Sequence, residues 1–83
     1  MTTATAPAIP AHVRAERHRL IQRVALDLHH QRTYQDMLND RGGIRNDYQR
    51  QELTARVEAT DRADMALRAL LRAWPGLREE GRA

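Results

Sequence analysis

The sequence contains no cysteine, serine, phenylalanine or lysine, and it has one tryptophan among its 83 residues. The absence of cysteine excludes disulfide bonds and thiolate metal sites. Together with the absence of serine, it also removes the usual nucleophiles of acyl-transfer enzymes. No threonine lies in a recognisable triad context. We therefore expect a protein that is not an enzyme and that uses no cofactor and no small-molecule substrate.

Long apolar stretches are also missing. No run approaches the roughly 20 residues that a membrane-spanning helix needs, and the opening MTTATAPAIP lacks the basic and apolar regions of a secretory signal. We therefore expect a cytoplasmic protein without membrane contact. Hydrophobic residues make up 41% of the chain, but many of them are alanine, which buries little area. So short a chain usually needs a partner subunit, a ligand or a metal to fold firmly.

Helical periodicity is interrupted at one place, the sequence DRGGIR, because two consecutive glycines disfavour a helix. Asn46 followed by Gln49 resembles a capping box that opens a second helix, and Pro75 with Gly76 ends it. The pattern predicts an all-α, antiparallel two-helix hairpin. The expected order is a disordered tail over residues 1–9, a first helix over about 10–39 and a turn over 40–45. A second helix over about 46–74 and a frayed tail over 75–83 follow.

Both predicted helices carry more apolar surface than one partner helix covers. The first has a main stripe of Val13, Leu20, Ile21, Val24, Leu28 and Leu38, and a separate face of Leu26, Tyr34 and Met37. The second has a heptad stripe of Leu53, Val57, Thr60, Asp64, Leu67, Leu71 and Trp74. It also has an alanine stripe of Ile44, Tyr48, Ala55, Ala59, Ala66, Ala69, Leu70 and Ala73.

An antiparallel neighbour hides only one stripe of a helix, so the other needs a second partner. Because alanine allows close helix approach, we place the alanine stripe inside the hairpin. We then expect the hairpin to form a helical bundle, by oligomerisation or with another protein. The expected interface between subunits consists of Leu53, Val57, Leu67, Leu71, Trp74, Leu26, Tyr34 and Met37. The opposite assignment of the two stripes is the alternative.

A polar interruption, LDLHH, falls within the first helix and faces a polar segment of the second. In a hairpin that turns at the two glycines, the numbers of opposed residues add to roughly 85–87. Carboxylate-x-x-His is the spacing of di-iron bundles, so a metal site is one hypothesis. Its ligands would be Asp27, His30, Glu58 and Asp61. Because several arginines lie nearby, we prefer a polar layer that pairs across the bundle and fixes the helix register.

Basic residues are concentrated at the open end of the hairpin, where one acidic residue, Glu16, lies among them. This basic pole consists of Arg14, Arg17, Arg19, Arg23, Arg68 and Arg72. In the second helix, by contrast, Glu52–Arg56, Glu58–Arg62 and Asp64–Arg68 have the spacing of intrahelical ion pairs. A basic pole suits nucleic acid or an acidic protein.

Few aromatic residues are present to stack on bases, so the protein partner is preferred. The sequence thus predicts a small helical interaction module or accessory subunit, bound to itself or to a larger protein. A nucleic-acid-associated accessory protein is the alternative, and a metal-binding bundle is the third hypothesis.

Overall fold

The computed structural model describes residues 8–80 of the chain and contains two long helices that pack against each other, followed by a short third one. Helix α1 spans Ala11–Asp40, α2 spans Asp47–Ala73 and α3 spans Gly76–Glu80. No strand occurs within residues 8–80. The predicted helical hairpin is therefore confirmed. Of the predicted disordered tail, residues 1–7 lie outside the described residues.

The turn between α1 and α2 depends on its two glycines. Gly42 and Gly43 have φ angles of 93° and 96°, a region that side chains with a Cβ atom rarely occupy. In this conformation the Gly43 N–H donates to the Leu38 carbonyl at 2.7 Å, so a carbonyl at the end of α1 keeps a partner. The glycines thus end α1 and reverse the chain.

Helix α2 begins with the predicted capping residue. The Asn46 side chain accepts a hydrogen bond from the Gln49 N–H at 2.8 Å. In return, the Gln49 side chain accepts from the Arg45 N–H at 2.7 Å, one residue earlier than the usual capping box. The capping prediction is confirmed with that change of donor, and the two bonds fix where α2 starts.

The facing sides of α1 and α2 form a coiled-coil-like seam in which covered residues step alternately by four and three. In α1 these residues are Val13, Arg17, Leu20, Val24, Asp27, Gln31, Tyr34 and Leu38. In α2 they are Gln49, Leu53, Arg56, Thr60, Ala63, Leu67 and Leu70, and Trp74 directly after the helix continues the pattern. Many of these side chains are polar or small, so the seam buries little apolar surface. The buried hydrophobic residues of the described chain are Val13, Leu20, Leu38, Ala63 and Leu77.

The register of the hairpin agrees with the expected pairing. A guanidinium nitrogen of Arg56 lies 3.5 Å from the His30 carbonyl oxygen, and Asp27 lines the same cleft as Ala59. The residue numbers add to 86 in both pairs, inside the predicted range. The polar segments of the two helices therefore meet at mid-length.

The frayed tail predicted from residue 75 onward is wrong for residues 76–80, which form α3. Leu77 is 1% exposed, and the Arg17 guanidinium donates to its carbonyl oxygen at 2.9 Å. A helix of five residues is not stable by itself in water. The burial of Leu77 and this hydrogen bond therefore hold α3 in place, over the open end of the hairpin. None of the helices in residues 8–80 combines the length and the apolar character needed to cross a bilayer.

Candidate interaction surface

Most of the alanine stripe of α2 is exposed, opposite to the preferred assignment, although its members Ala59 and Leu70 are half-buried. Ala55, Ala66, Ala69 and Ala73 are exposed, whereas every residue of the heptad stripe is half-buried. The alanine stripe was expected inside the hairpin because alanine lets two helices approach closely, and that expectation neglected the apolar area that the leucine side chains bury. A leucine removes more apolar surface from water than an alanine does, so the leucine-bearing stripe has the larger gain on packing.

The predicted interface residues of α2 are nevertheless only partly covered. Leu53, Val57, Leu67, Leu71 and Trp74 are all half-buried. A packed core residue in a folded domain is enclosed on all sides by neighbours. Part of each of these five side chains therefore remains accessible to solvent or to another protein.

The second face predicted for α1 is divided by the structure. Tyr34 belongs to the seam, where its ring lies under the Arg56 guanidinium at 4.7 Å, and Met37 is half-buried. Leu26 remains 47% exposed, as does Ile21, which had been expected in the main stripe. The prediction assumed the period of a straight helix, about 3.6 residues per turn. The seam instead follows a heptad rhythm, about 3.5 residues per turn, and Tyr34 lies on it because it follows Asp27 by seven residues.

Large apolar side chains are also exposed elsewhere on the hairpin. Tyr48 is 72% exposed and Met65 is 67% exposed, and Ile44 in the turn is accessible as well. Single exposed apolar residues are ordinary on protein surfaces. Here they accompany an incomplete core, so the described chain leaves apolar surface uncovered both along its seam and on its outer faces.

The polar layer at mid-hairpin is organised differently from the prediction. Asp27 is buried, but it pairs with Arg23 of the same helix, whose Nε donates to Oδ2 at 3.2 Å. The contact across the hairpin comes instead from Arg56, through the His30 carbonyl and the Tyr34 ring. Glu52 accepts from Arg56 Nε at 3.1 Å and holds the guanidinium there. No buried side-chain nitrogen or oxygen of the described residues lacks a partner.

The hypothetical metal ligands do not come together. Asp27 points into the ion pair with Arg23, while His30, Glu58 and Asp61 are exposed. Across residues 8–80, no three histidine, aspartate or glutamate side chains are grouped so that they could hold a metal ion. The i, i+3 spacing places Asp27 and His30 on one face of α1, and Glu58 and Asp61 on one face of α2, but these two faces do not meet.

The basic pole is more neutral than the sequence suggested. Five of its six arginines lie within 4.0 Å of a carboxylate: Arg14 and Arg17 contact Glu80, Arg19 contacts Glu16, Arg23 contacts Asp27, and Arg68 contacts Asp64. Arg14 holds Glu80 through two nitrogens, Nη2 at 2.8 Å and Nε at 3.2 Å. These hydrogen bonds lower the pKa of the Glu80 carboxyl, and the Arg19 guanidinium lowers that of Glu16.

The predicted ion pairs of α2 form in two cases out of three. Glu52–Arg56 and Asp64–Arg68 contact at 3.0 Å and 2.8 Å. Glu58 and Arg62 do not pair, and none of the ion pairs formed within residues 8–80 includes Arg62. Arg62 instead lines a cleft between the two helices.

This cleft, which the sequence did not predict, has a volume of about 220 Å³. Leu20, Arg23 and Asp27 line it from α1, and Ala59, Arg62 and Ala63 line it from α2. It exists because two alanines stand where larger side chains would fill the space beside Leu20. The signal in the sequence was a pair of small residues one helical turn apart, of which Ala59 had been assigned to the alanine stripe and Ala63 to neither stripe of α2.

The chain matches no protein-family model, no curated protein and no solved structure. The functional argument therefore rests on the geometry of the hairpin.

Proposed function

We propose that this protein is a small non-enzymatic helical interaction module, which acts as an oligomer or as an accessory subunit bound to a larger protein. The observation that supports this proposal is the incomplete core. A two-helix seam leaves Leu53, Leu67 and Leu71 half-buried, and the buried hydrophobic residues of the described chain are few. Association with a further helical surface would complete the burial that α1 alone provides in part.

Nucleic-acid binding has less support than protein binding. The arginines that suggested it are mostly engaged with carboxylates, and the docking of α3 brings Glu80 into the centre of the basic pole. Phosphate contacts require guanidinium groups that are available to release counterions from the nucleic acid. Arginines held through two nitrogens, as Arg14 and Arg19 are, would first have to give up their carboxylates.

The test is the mass and the cooperativity of the chain in solution. Sedimentation equilibrium across the micromolar range should give a mass above the 9.6 kDa of one chain if the protein self-associates. If it serves a different protein instead, the isolated chain should be a 9.6 kDa species that unfolds without a sharp transition, since its core is incomplete. A monomer with steep, cooperative unfolding at high micromolar concentration would contradict both forms of the proposal.

Two kinds of variant separate loss of association from loss of folding. Replacing Leu67 and Leu71 together by Glu should dissociate an oligomer and also reduce helicity, because both residues contact the seam and a buried unpaired charge is strongly unfavourable. Replacing Leu26 by Glu alters a residue that is 47% exposed and costs the single hairpin little. A fall in mass with unchanged helicity in this variant would locate association on the outer face of α1.

A further inference from the structure

We infer that the mid-hairpin cleft is a docking site for an acidic, amphipathic helix of a protein partner, which inserts a carboxylate between Arg23 and Arg62 and an apolar side chain against the cleft floor. This inference rests on the proposed interaction function and adds to it the chemistry of the partner. It follows from three properties of the cleft: its unused donors, its floor and its charge.

The unused donors belong to two guanidinium groups. Arg23 donates to Asp27 through Nε alone, so its two terminal nitrogens have no acceptor within the described residues. The side chain of Arg23 is 62% exposed at the rim of the cleft. Arg62, on the opposite helix, donates no side-chain hydrogen bond within residues 8–80. Guanidinium groups recognise carboxylates through paired N–H donors, and such charge-assisted bonds are roughly twice as strong as neutral ones.

The floor of the cleft is apolar and shallow. Leu20 is buried, and Ala59 and Ala63 present only methyl groups beside it. Small residues allow the backbone of another helix to approach closely. The volume of about 220 Å³ lies below the roughly 300–1,000 Å³ of pockets that enclose a drug-sized ligand. The cleft is therefore suited to one or two side chains of a macromolecule.

The charge of the cleft distinguishes among possible occupants. Two guanidiniums and one carboxylate give it a net positive charge, which favours an anionic group. A second copy related by a two-fold axis through the cleft would place Arg23 and Arg62 against the same two arginines, and like charges in contact are unfavourable. A nucleic-acid backbone would bring a run of phosphates past the Asp27 carboxylate and along Arg68, which is already paired with Asp64. A single carboxylate on an otherwise apolar helix face avoids both conflicts.

The experiment uses the full-length chain and a set of fluorescein-labelled helical peptides. The probe peptide carries Leu and Glu at i, i+4 positions on one face, and its matched versions replace every Glu by Gln or by Lys. Fluorescence anisotropy should show that wild-type protein binds the Glu peptide and not the Lys peptide. In Arg62→Gln, affinity for the Glu peptide should fall by about 10-fold or more, the loss expected from a charge-assisted hydrogen bond of roughly 1.5–3 kcal/mol.

Arg50→Gln is the control, because Arg50 is exposed on the same helix and lies outside the cleft. It removes the same charge, so affinity should change by less than about two-fold if only general attraction is lost. Ala59→Leu adds a second variant, which fills the floor and should weaken binding of the Glu peptide while leaving both guanidiniums in place. Circular dichroism should show equal helicity in all three variants.

Four results would overturn the inference. The first is the absence of Glu-peptide binding at millimolar concentration, and the second is an equal loss of Glu-peptide affinity in Arg62→Gln and Arg50→Gln. The third is a fall in sedimentation mass that occurs in Arg62→Gln alone. The fourth is binding of duplex DNA that Arg62→Gln abolishes and Arg50→Gln preserves. The third result would assign the cleft to a second copy, and the fourth to phosphate. The first two would leave the proposed interaction function standing, since the mass and cooperativity of the unmodified chain test it separately.

Discussion

Replacing Leu77 by Ala tests whether α3 is an integral part of the fold. Leu77 is 1% exposed, so the substitution removes three buried carbon atoms. At about 0.8 kcal/mol for each buried methylene-sized group, the transfer cost alone is roughly 2.4 kcal/mol. Buried Leu→Ala changes cost about 2–5 kcal/mol once the cavity is included. Because α3 has only five residues and can shift into the space left by the leucine, we expect the lower half of that range, about 2–3 kcal/mol.

The assay is urea unfolding followed by circular dichroism, with both proteins at the same concentration because association contributes to apparent stability. Leu26→Ala serves as the matched control. Leu26 is 47% exposed on α1, so the same chemical change there should cost about 1 kcal/mol or less. The slope of free energy against urea should stay similar in both variants, because the surface exposed on unfolding is nearly the same.

Equal losses in Leu77→Ala and Leu26→Ala would refute the reasoning, since burial would then have no effect. An unchanged midpoint in Leu77→Ala, accompanied by a change in Trp74 fluorescence, would refute it in another way. It would show that α3 detaches locally before the hairpin unfolds and lies outside the cooperative unit.

Two further predictions concern charged groups. Asp27→Leu should keep the helical content and raise the free energy of unfolding by about 1 kcal/mol, because the pair with the largely exposed Arg23 contributes under about 1 kcal/mol and leucine adds apolar contact at the seam. The control, Asp36→Leu on the exposed face, should give no gain in free energy in urea unfolding. A loss above about 2 kcal/mol in Asp27→Leu would contradict the expectation. Acidification should weaken the hold on α3, because Arg14 lowers the folded-state pKa of Glu80 below its ordinary value of 4.5. Because the pKa of Glu80 is lower in the folded state than in the unfolded state, the Arg14–Glu80 contact stabilises the fold fully at pH values above the unfolded-state pKa. This stabilisation is lost as the pH falls through the folded-state pKa. Trp74 fluorescence should therefore change below about pH 4.5 in the wild type and should lack this transition in Glu80→Gln.

The hairpin itself was predictable because local signals determine it. Two glycines with positive φ angles and a capping residue at Asn46 act within a few residues of chain, and such short-range effects are visible in the sequence. The register followed from the position of the turn, since residues on antiparallel helices pair symmetrically about it. These features need no knowledge of side-chain packing.

The choice of faces was not predictable in the same way. Both stripes of α2 had helical periodicity, and the outcome depended on competing packing energies that periodicity does not measure. The docking of α3 depended on Leu77 finding a site at the far end of α1, a contact between residues distant in sequence. Once α3 was missed, Glu80 was missed as well, and the basic pole appeared less compensated than it is.

The cleft connects the weak core of this hairpin with its proposed interaction. The same two alanines that leave space beside Leu20 also reduce the apolar area that α1 and α2 bury against each other. Ala59→Leu should therefore have opposite effects on two measurements. Added apolar contact should raise the free energy of unfolding by up to about 1–2 kcal/mol if the leucine fits the existing space, while affinity for the Glu peptide should fall. A variant that gained stability without losing the peptide would show that the space at the seam is a packing defect rather than a binding site.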